Sequence, residues 1–280
     1  MELTNRVVVV TGGGSGIGAA LCRAAHQAGA RHIMVADRDG KAAAAVASEV
    51  DGTDIVVDVS KEADIARLVS VTEKAHGPIG VFVSNAGFVT TAGLEDTNEA
   101  IQTMWNVHVM AHIYAARAVL PSMIARGEGY LLNTSSAAGL LTQIGSMAYS
   151  VTKAASIALA DWLAITHHHQ GIRVSVLCPQ AVDTAIVRNS PDYDPSRDGD
   201  GSIVDNVATI DGVLSADQVA AECIDALRDE RFLVLPHPDV AVYAQRKAAD
   251  RDRWLEGMRR FQDLLYPDGN LPGDAIAPSA

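Results

Sequence analysis

Thr11-Gly12-Gly13-Gly14-Ser15-Gly16-Ile17-Gly18 joins an apolar run, Arg6–Thr11, to a segment of helical spacing, Ile17–Ala28. Glycine tolerates positive φ and lets backbone approach a ligand closely. The helix that follows offers unpaired N–H groups and the positive end of its dipole, a natural seat for phosphate. A glycine-rich turn says little alone; between a strand and a helix it reads as a pyrophosphate cradle built on Gly12, Ser15, Gly16, Ile17 and Gly18. Asp37 strengthens the reading. It closes the second apolar run, 19 residues after Gly18, where a carboxylate can accept both hydroxyls of an adenosine ribose. The same carboxylate would oppose a 2′-phosphate in a partly desolvated site. Arg38 could offset that by pairing with the phosphate, but the balance favours NAD over NADP.

Outward from this turn, short β-rich runs alternate with Ala-rich helical ones. Strands are predicted at Arg6–Thr11, His32–Asp37, Asp54–Asp58, Ile79–Ser84, Gly129–Thr134, Arg173–Leu177 and Phe232–Leu235. Helices are predicted at Ile17–Ala28, Lys41–Val50, Glu62–Lys74, Ala100–Arg126, Ala148–His168 and Ala216–Arg228. Near-continuous apolar strands alternating with helices imply a parallel sheet covered on both faces. The expected fold is α/β: a doubly wound parallel sheet in a three-layer, Rossmann-like single domain over residues 1–280. Two regions break the alternation. Residues 185–213 are polar and aperiodic and follow a strand end; a substrate lid and a plain loop both stay open. The tail from about 239 to 266 reads as one long charged helix ahead of a Pro/Gly-rich end.

The chemistry gathers later in the chain. Tyr149 and Lys153 stand four apart in Tyr149-Ser150-Val151-Thr152-Lys153 and share a helix face. A nearby ammonium favours the phenolate, so the expected effect is a lowered Tyr149 pKa and a side chain able to exchange a proton with an alcohol. Asn133-Thr134-Ser135-Ser136 ends a predicted strand, and its last residue lies 13 before Tyr149. A hydroxyl there can hold a substrate oxygen; Ser136 is chosen over Ser135.

With these motifs in order, the sequence resembles the short-chain dehydrogenase/reductase family. The phosphate turn matches at Thr11, Gly12, Gly16 and Gly18, and the Asn-Ala-Gly motif at Asn85, Ala86 and Gly87. The family's Ser, Tyr and Lys match Ser136, Tyr149 and Lys153, and its helix Asn is matched to Asn106. The resemblance covers roughly residues 5–185, with a weaker likeness to about 236. It implies hydride transfer between NAD(H) and a secondary alcohol or ketone. Tyr149 is then the general acid/base, Ser136 the carbonyl-orienting hydroxyl, and Lys153 the ligand of the nicotinamide ribose. Asn106 is to hold a relay water. The cofactor is expected along Asp37, Arg38, Asp58, Val59, Asn85, Ala86, Gly87, Pro179, Val182 and Thr184. One departure is visible: Gln180 follows Pro179 where the family usually has glycine. Gln143, Met147 and Gln180 are candidate substrate contacts, with a bland loop as the alternative for the first two. A homo-oligomer, tetramer or dimer, is expected through helices 100–126 and 148–168.

Composition narrows the remaining classes. The net charge is −12 and no Lys/Arg cluster occurs, which disfavours nucleic acid as a partner. No uninterrupted apolar run reaches the roughly 18 residues of a membrane span. Three separated cysteines, Cys22, Cys178 and Cys223, suggest no disulfide framework, and no leader is visible, so a cytoplasmic enzyme is expected. His167-His168-His169 is read as an exposed helix end and not as a metal site. His108 and His112, four apart, are read as packing. Two other functions stay open: an NADPH-dependent 3-oxoacyl thioester reductase, which Asp37 opposes, and a non-catalytic dinucleotide sensor on the same fold. NAD use points to alcohol oxidation as the direction, and the uncharged residues before Tyr149 to an apolar substrate body.

Overall fold

The computed structural model describes residues 1–186 and 209–269. Seven strands form one parallel sheet: β1 (Val7–Thr11), β2 (His32–Asp37), β3 (Thr53–Val56), β4 (Ile79–Ser84), β5 (Gly129–Thr134), β6 (Ile172–Leu177) and β9 (Leu233–Val234). Their order is β3-β2-β1-β4-β5-β6-β9. Every residue of β1, β4 and β5 is buried, as expected of strands covered on both faces.

Helices complete three layers. One face of the sheet carries α1 (Gly16–Gln27), α2 (Gly40–Glu49) and α8 (Ala216–Asp229), packed through Leu21, Val46, Val219 and Leu227. The other carries α3 (Glu62–His76), α5 (Ala111–Arg126) and α7 (Met147–His167), packed through Leu68, Val119, Met123 and Leu163. The chain winds outward in both directions from β1, which pairs with β2 on one side and β4 on the other. Ligands of open α/β sheets bind at the carboxyl ends of strands flanking such a reversal.

Several local features depart from the sequence reading. The predicted helix Ala100–Arg126 is α4 (Asn98–Trp105), a π turn (Asn106–Met110) and α5. This run is long and apolar enough to cross a membrane, but half of its most apolar window is buried within the fold. A short helix, α6 (Ala137–Leu141), and a two-stranded ribbon, β7 (Val182–Asp183) with β8 (Leu214–Ser215), were not anticipated. The tail is two helices, α9 (Asp239–Ala249) and α10 (Arg251–Leu265), broken at Asp250, whose carboxylate accepts the Arg253 N–H at 3.0 Å. Most of the segment read as lid or loop, residues 187–208, lies outside the described residues, as does 270–280.

Candidate active site

A cleft of about 980 Å³ runs along the carboxyl ends of the strands, from Asp37 and Arg38 past the glycine turn to Ser136, Tyr149 and Lys153. Its first part has the stereochemistry of a nucleotide cradle. Gly12 and Gly16 hold φ of +64° and +51°, which L side chains rarely adopt. A Cβ on Gly18 would collide with the Gly12 carbonyl, so helix and turn can meet only at glycine. Asp37 pins the turn from the side: its Oδ2 accepts the Gly14 N–H at 2.9 Å and its Oδ1 the Asp39 N–H at 3.0 Å. Asp58, Val59, Ala86 and Gly87 line the next stretch. The Asp58 carboxyl is held below the usual carboxylate range chiefly by the Ser60 hydroxyl, against the opposing cost of burial.

Asn85 joins three strand ends. Its Nδ2 donates to the Thr11 carbonyl at 3.1 Å, and its Oδ1 accepts the Thr134 hydroxyl at 3.1 Å. Thr11 Oγ1 in turn accepts the Asn85 N–H at 3.0 Å. The floor of the cleft is thereby fixed before any ligand arrives.

At its far end α7 presents Tyr149 and Lys153, both buried. Lys153 Nζ donates to the Thr134 carbonyl at 3.1 Å and lies 5.6 Å from the centre of the Tyr149 ring. Burial pulls the Lys153 pKa down to about 8. The expected lowering of Tyr149 does not occur in this state. Burial raises the phenol above 10, and the Ser136 hydroxyl, not Lys153, draws it back. The ammonium is turned toward Thr134, so the desolvation of the phenol dominates. Ser136 caps α6, its Oγ accepting the Ala138 N–H at 3.1 Å, which holds the hydroxyl beside Tyr149. Ser135 is engaged elsewhere, donating to the Lys153 carbonyl at 2.8 Å.

The candidates do not all gather here. Gly12, Ser15, Gly16, Ile17, Arg38, Pro179, Gln180, Val182, Thr184 and Gln143 line the cleft. Met147 does not line it but packs against the cluster of Val89, Met104, Ala138, Ala148 and Tyr149 behind its wall. Asn106 is also outside: its Oδ1 accepts the Gln102 amide at 2.9 Å on the helix surface. The π turn directs His108 inward instead. This ring is fully buried, edge-on to the Tyr149 ring with centroids 5.6 Å apart. Its Nε2 accepts the Phe88 N–H at 3.2 Å, which leaves the proton on Nδ1 for the Thr152 hydroxyl at 3.0 Å. Burial and the neighbouring Lys153 charge hold the imidazole well below its usual pKa, hence neutral. At the departure, Gln180, the backbone N–H donates to His237 Nδ1 at 3.2 Å, as a glycine there also could, while the buried side-chain Oε1 has no hydrogen-bond partner among the described residues.

Sequence reading also missed the outer wall. Tyr243 and Arg246 of α9 and Trp254, Met258 and Phe261 of α10 line the cleft. The 4- and 3-residue spacing of the last three was a usable signal, obscured by the charges between them.

The fold and these residues define a class, and comparison agrees with it: residues 6–194 match the short chain dehydrogenase family. The chain belongs to that family, whose members are oxidoreductases. It is 33% identical over 251 residues to 1-deoxy-11-beta-hydroxypentalenate dehydrogenase of Streptomyces exfoliatus, covering 86% of each chain. It is 36% identical over 186 residues to 2-keto-3-deoxy-L-fuconate dehydrogenase of Xanthomonas campestris, covering 65% of this chain and 60% of that one. Among solved structures, a short chain dehydrogenase/reductase from Burkholderia phymatum in complex with NAD shares the fold with a TM-score of 0.80 at 24% identity, over 99% of this chain and all of that one.

Proposed function

We propose that the protein is an NAD-dependent dehydrogenase of secondary alcohols, with Tyr149 as the acid/base. The observation that carries this reading is the meeting of Ser136, Tyr149 and Lys153 at one end of a cleft whose other end is the Gly12–Gly18 turn with Asp37. The residues fit a dinucleotide: two positive-φ glycines, a helix N-terminus and an acid beside the turn. Asp37 and Asp58 would face the adenosine, and Lys153 the nicotinamide ribose. Asp37 supports NAD over NADP, because its charge opposes a 2′-phosphate.

When bound, NAD(H) supplies the hydride acceptor or donor. Ser136 donates a hydrogen bond to the substrate oxygen and fixes which face of that carbon is presented. Tyr149 gives its phenolic proton to the oxygen in the reducing direction and takes it back in the oxidising one. Lys153 keeps two N–H bonds free of Thr134 for ribose hydroxyls. Phe88, Val89 and Leu141 add apolar wall near this end, which suits an apolar substrate body; the Streptomyces exfoliatus relative is, by its name, a dehydrogenase of a hydroxylated compound. Three free, buried cysteines suit a reducing compartment, and the reading places the enzyme in the cytoplasm.

Tyr149→Phe tests the assignment. The expected outcome is loss of at least about a thousandfold in kcat, with NAD affinity, read by quenching of protein fluorescence, within about threefold of wild type. Turnover that survives the substitution refutes the role of Tyr149.

A further inference from the structure

The cleft beyond Tyr149 has a wall of unusual make-up. No residue of α10 is buried, yet Trp254, Met258 and Phe261 form one helical face turned into the cleft. An apolar stripe that the described residues cover only in part gains most from an apolar guest. The other half of the wall is fixed in register. Lys247 of α9 donates to the Leu140 carbonyl at 2.7 Å, tying the helix to the end of α6. One turn earlier, Tyr243 donates to Asp211 Oδ1 at 3.0 Å, and its ring lies 6.5 Å from that of Trp254.

That register sets Arg246 along the same cleft, three residues after Tyr243. The Arg246 side chain is exposed, and among the described residues its guanidinium has no ion-pair or hydrogen-bond partner. The chain is acidic, with 34 Asp and Glu against 22 Lys and Arg, and Arg6, Arg23, Arg126 and Arg173 all hold carboxylates. A guanidinium left unpaired beside an apolar wall is matched to a planar anion, which it can bind through two parallel N–H bonds. A single guanidinium suits one negative charge, because the other cations of the cleft are accounted for: Lys153 at the reacting end and Arg38 at the adenosine end.

We propose that the substrate is a bulky alicyclic or aromatic secondary alcohol, or its ketone, that also carries a carboxylate. Its apolar body lies against Trp254, Met258 and Phe261, and its carboxylate pairs with Arg246. This rests on the dehydrogenase reading above and assigns the part of the substrate far from the reacting carbon.

The test uses 4-(4-hydroxycyclohexyl)benzoate and its methyl ester as a matched pair, with NAD, in wild type, Arg246→Met, Arg246→Lys and Trp254→Ala. In wild type, kcat/KM for the acid exceeds that for the ester by about tenfold or more, through KM. Arg246→Met brings the acid-to-ester ratio near one, Arg246→Lys restores part of it, and Trp254→Ala lowers both substrates while keeping the ratio. A wild-type ratio near one, a ratio that survives Arg246→Met, or no turnover of either compound by protein that binds NAD overturns the assignment. Failure of the protein to bind NAD sinks the dehydrogenase reading instead, and turnover persisting in Tyr149→Phe removes only the role of Tyr149, so the failures are told apart.

Discussion

At the scale of single residues, Tyr149 and Lys153 set how the site responds to pH. The buried phenol is raised above its ordinary value of 10, so it holds its proton across the neutral range. In that state it can protonate a carbonyl, whereas alcohol oxidation needs the deprotonated form. The sign follows: kcat/KM for oxidation rises with pH from about 6 to 9, and kcat/KM for carbonyl reduction does not. Initial rates in the two directions over that range check it, and an oxidative profile that falls with pH refutes it. Lys153 loses charge through about 8, so the upper part of the oxidative limb flattens where its contribution fades. The identity of these residues was legible because Tyr and Lys four apart on a helix, and a Ser at a strand end, are patterns in one dimension. The direction of the phenol's shift was not. It depends on where the ammonium points, and the Thr134 carbonyl that orients it comes from a strand about twenty residues away.

Elements decide which side chains reach the site. Asn106 and His108 are two apart, and on a regular helix they face different sides; the π turn Asn106–Met110 settles which one turns inward. Such turns often mark functional positions, but nothing in apolar periodicity announces one extra residue per turn, and matching the family's helix Asn by residue type picked Asn106, which lies outside the cleft. The turn's product is a bridge. His108 ties the cofactor-side loop at Phe88 to the helix of Tyr149 through Thr152. His108→Leu leaves the Phe88 N–H without its partner, which costs about 1–3 kcal/mol in urea unfolding and weakens NAD binding. His108→Gln, whose Oε1 can take the place of Nε2, recovers most of both. Equal loss in the two variants shows that ring packing alone matters. Long elements were readable: β2, β4 and β5 have the bounds expected from their apolar runs. The five residues of α6 and the two-residue strands of the β7–β8 ribbon are too short to show a period, and their existence rests on contacts such as the Ser136 cap.

On the scale of the whole molecule, the three layers follow from alternation alone, since buried parallel strands need helices on both faces. What alternation could not convey is that the last two helices return to the cleft: their charged spacing describes a solvated tail, and only the fold brings α10 over the strand ends. The outer face of α7 carries another consequence. Trp162 and Ile165 are 56% and 81% exposed there, an apolar surface on a helix expected to mediate self-association. The expected outcome is that wild-type protein sediments as an oligomer at micromolar concentration and that Trp162→Glu shifts it to monomer with the fold intact by circular dichroism. A wild type that is monomeric refutes the assembly, and an unchanged oligomer in the variant moves the interface elsewhere.

Asp37 has a bearing on any effort to change the coenzyme of this protein. Its two oxygens already hold the backbone of Gly14 and Asp39, so the acid proposed to discriminate between coenzymes is also a strut of the turn proposed to receive them. Replacing it to admit a phosphorylated ribose removes a repulsion and loosens the receptor together. A successful redesign therefore has to supply a new anchor for Gly14 as well as a new cation, and variants that supply only the cation trade selectivity for a softer, weaker-binding loop.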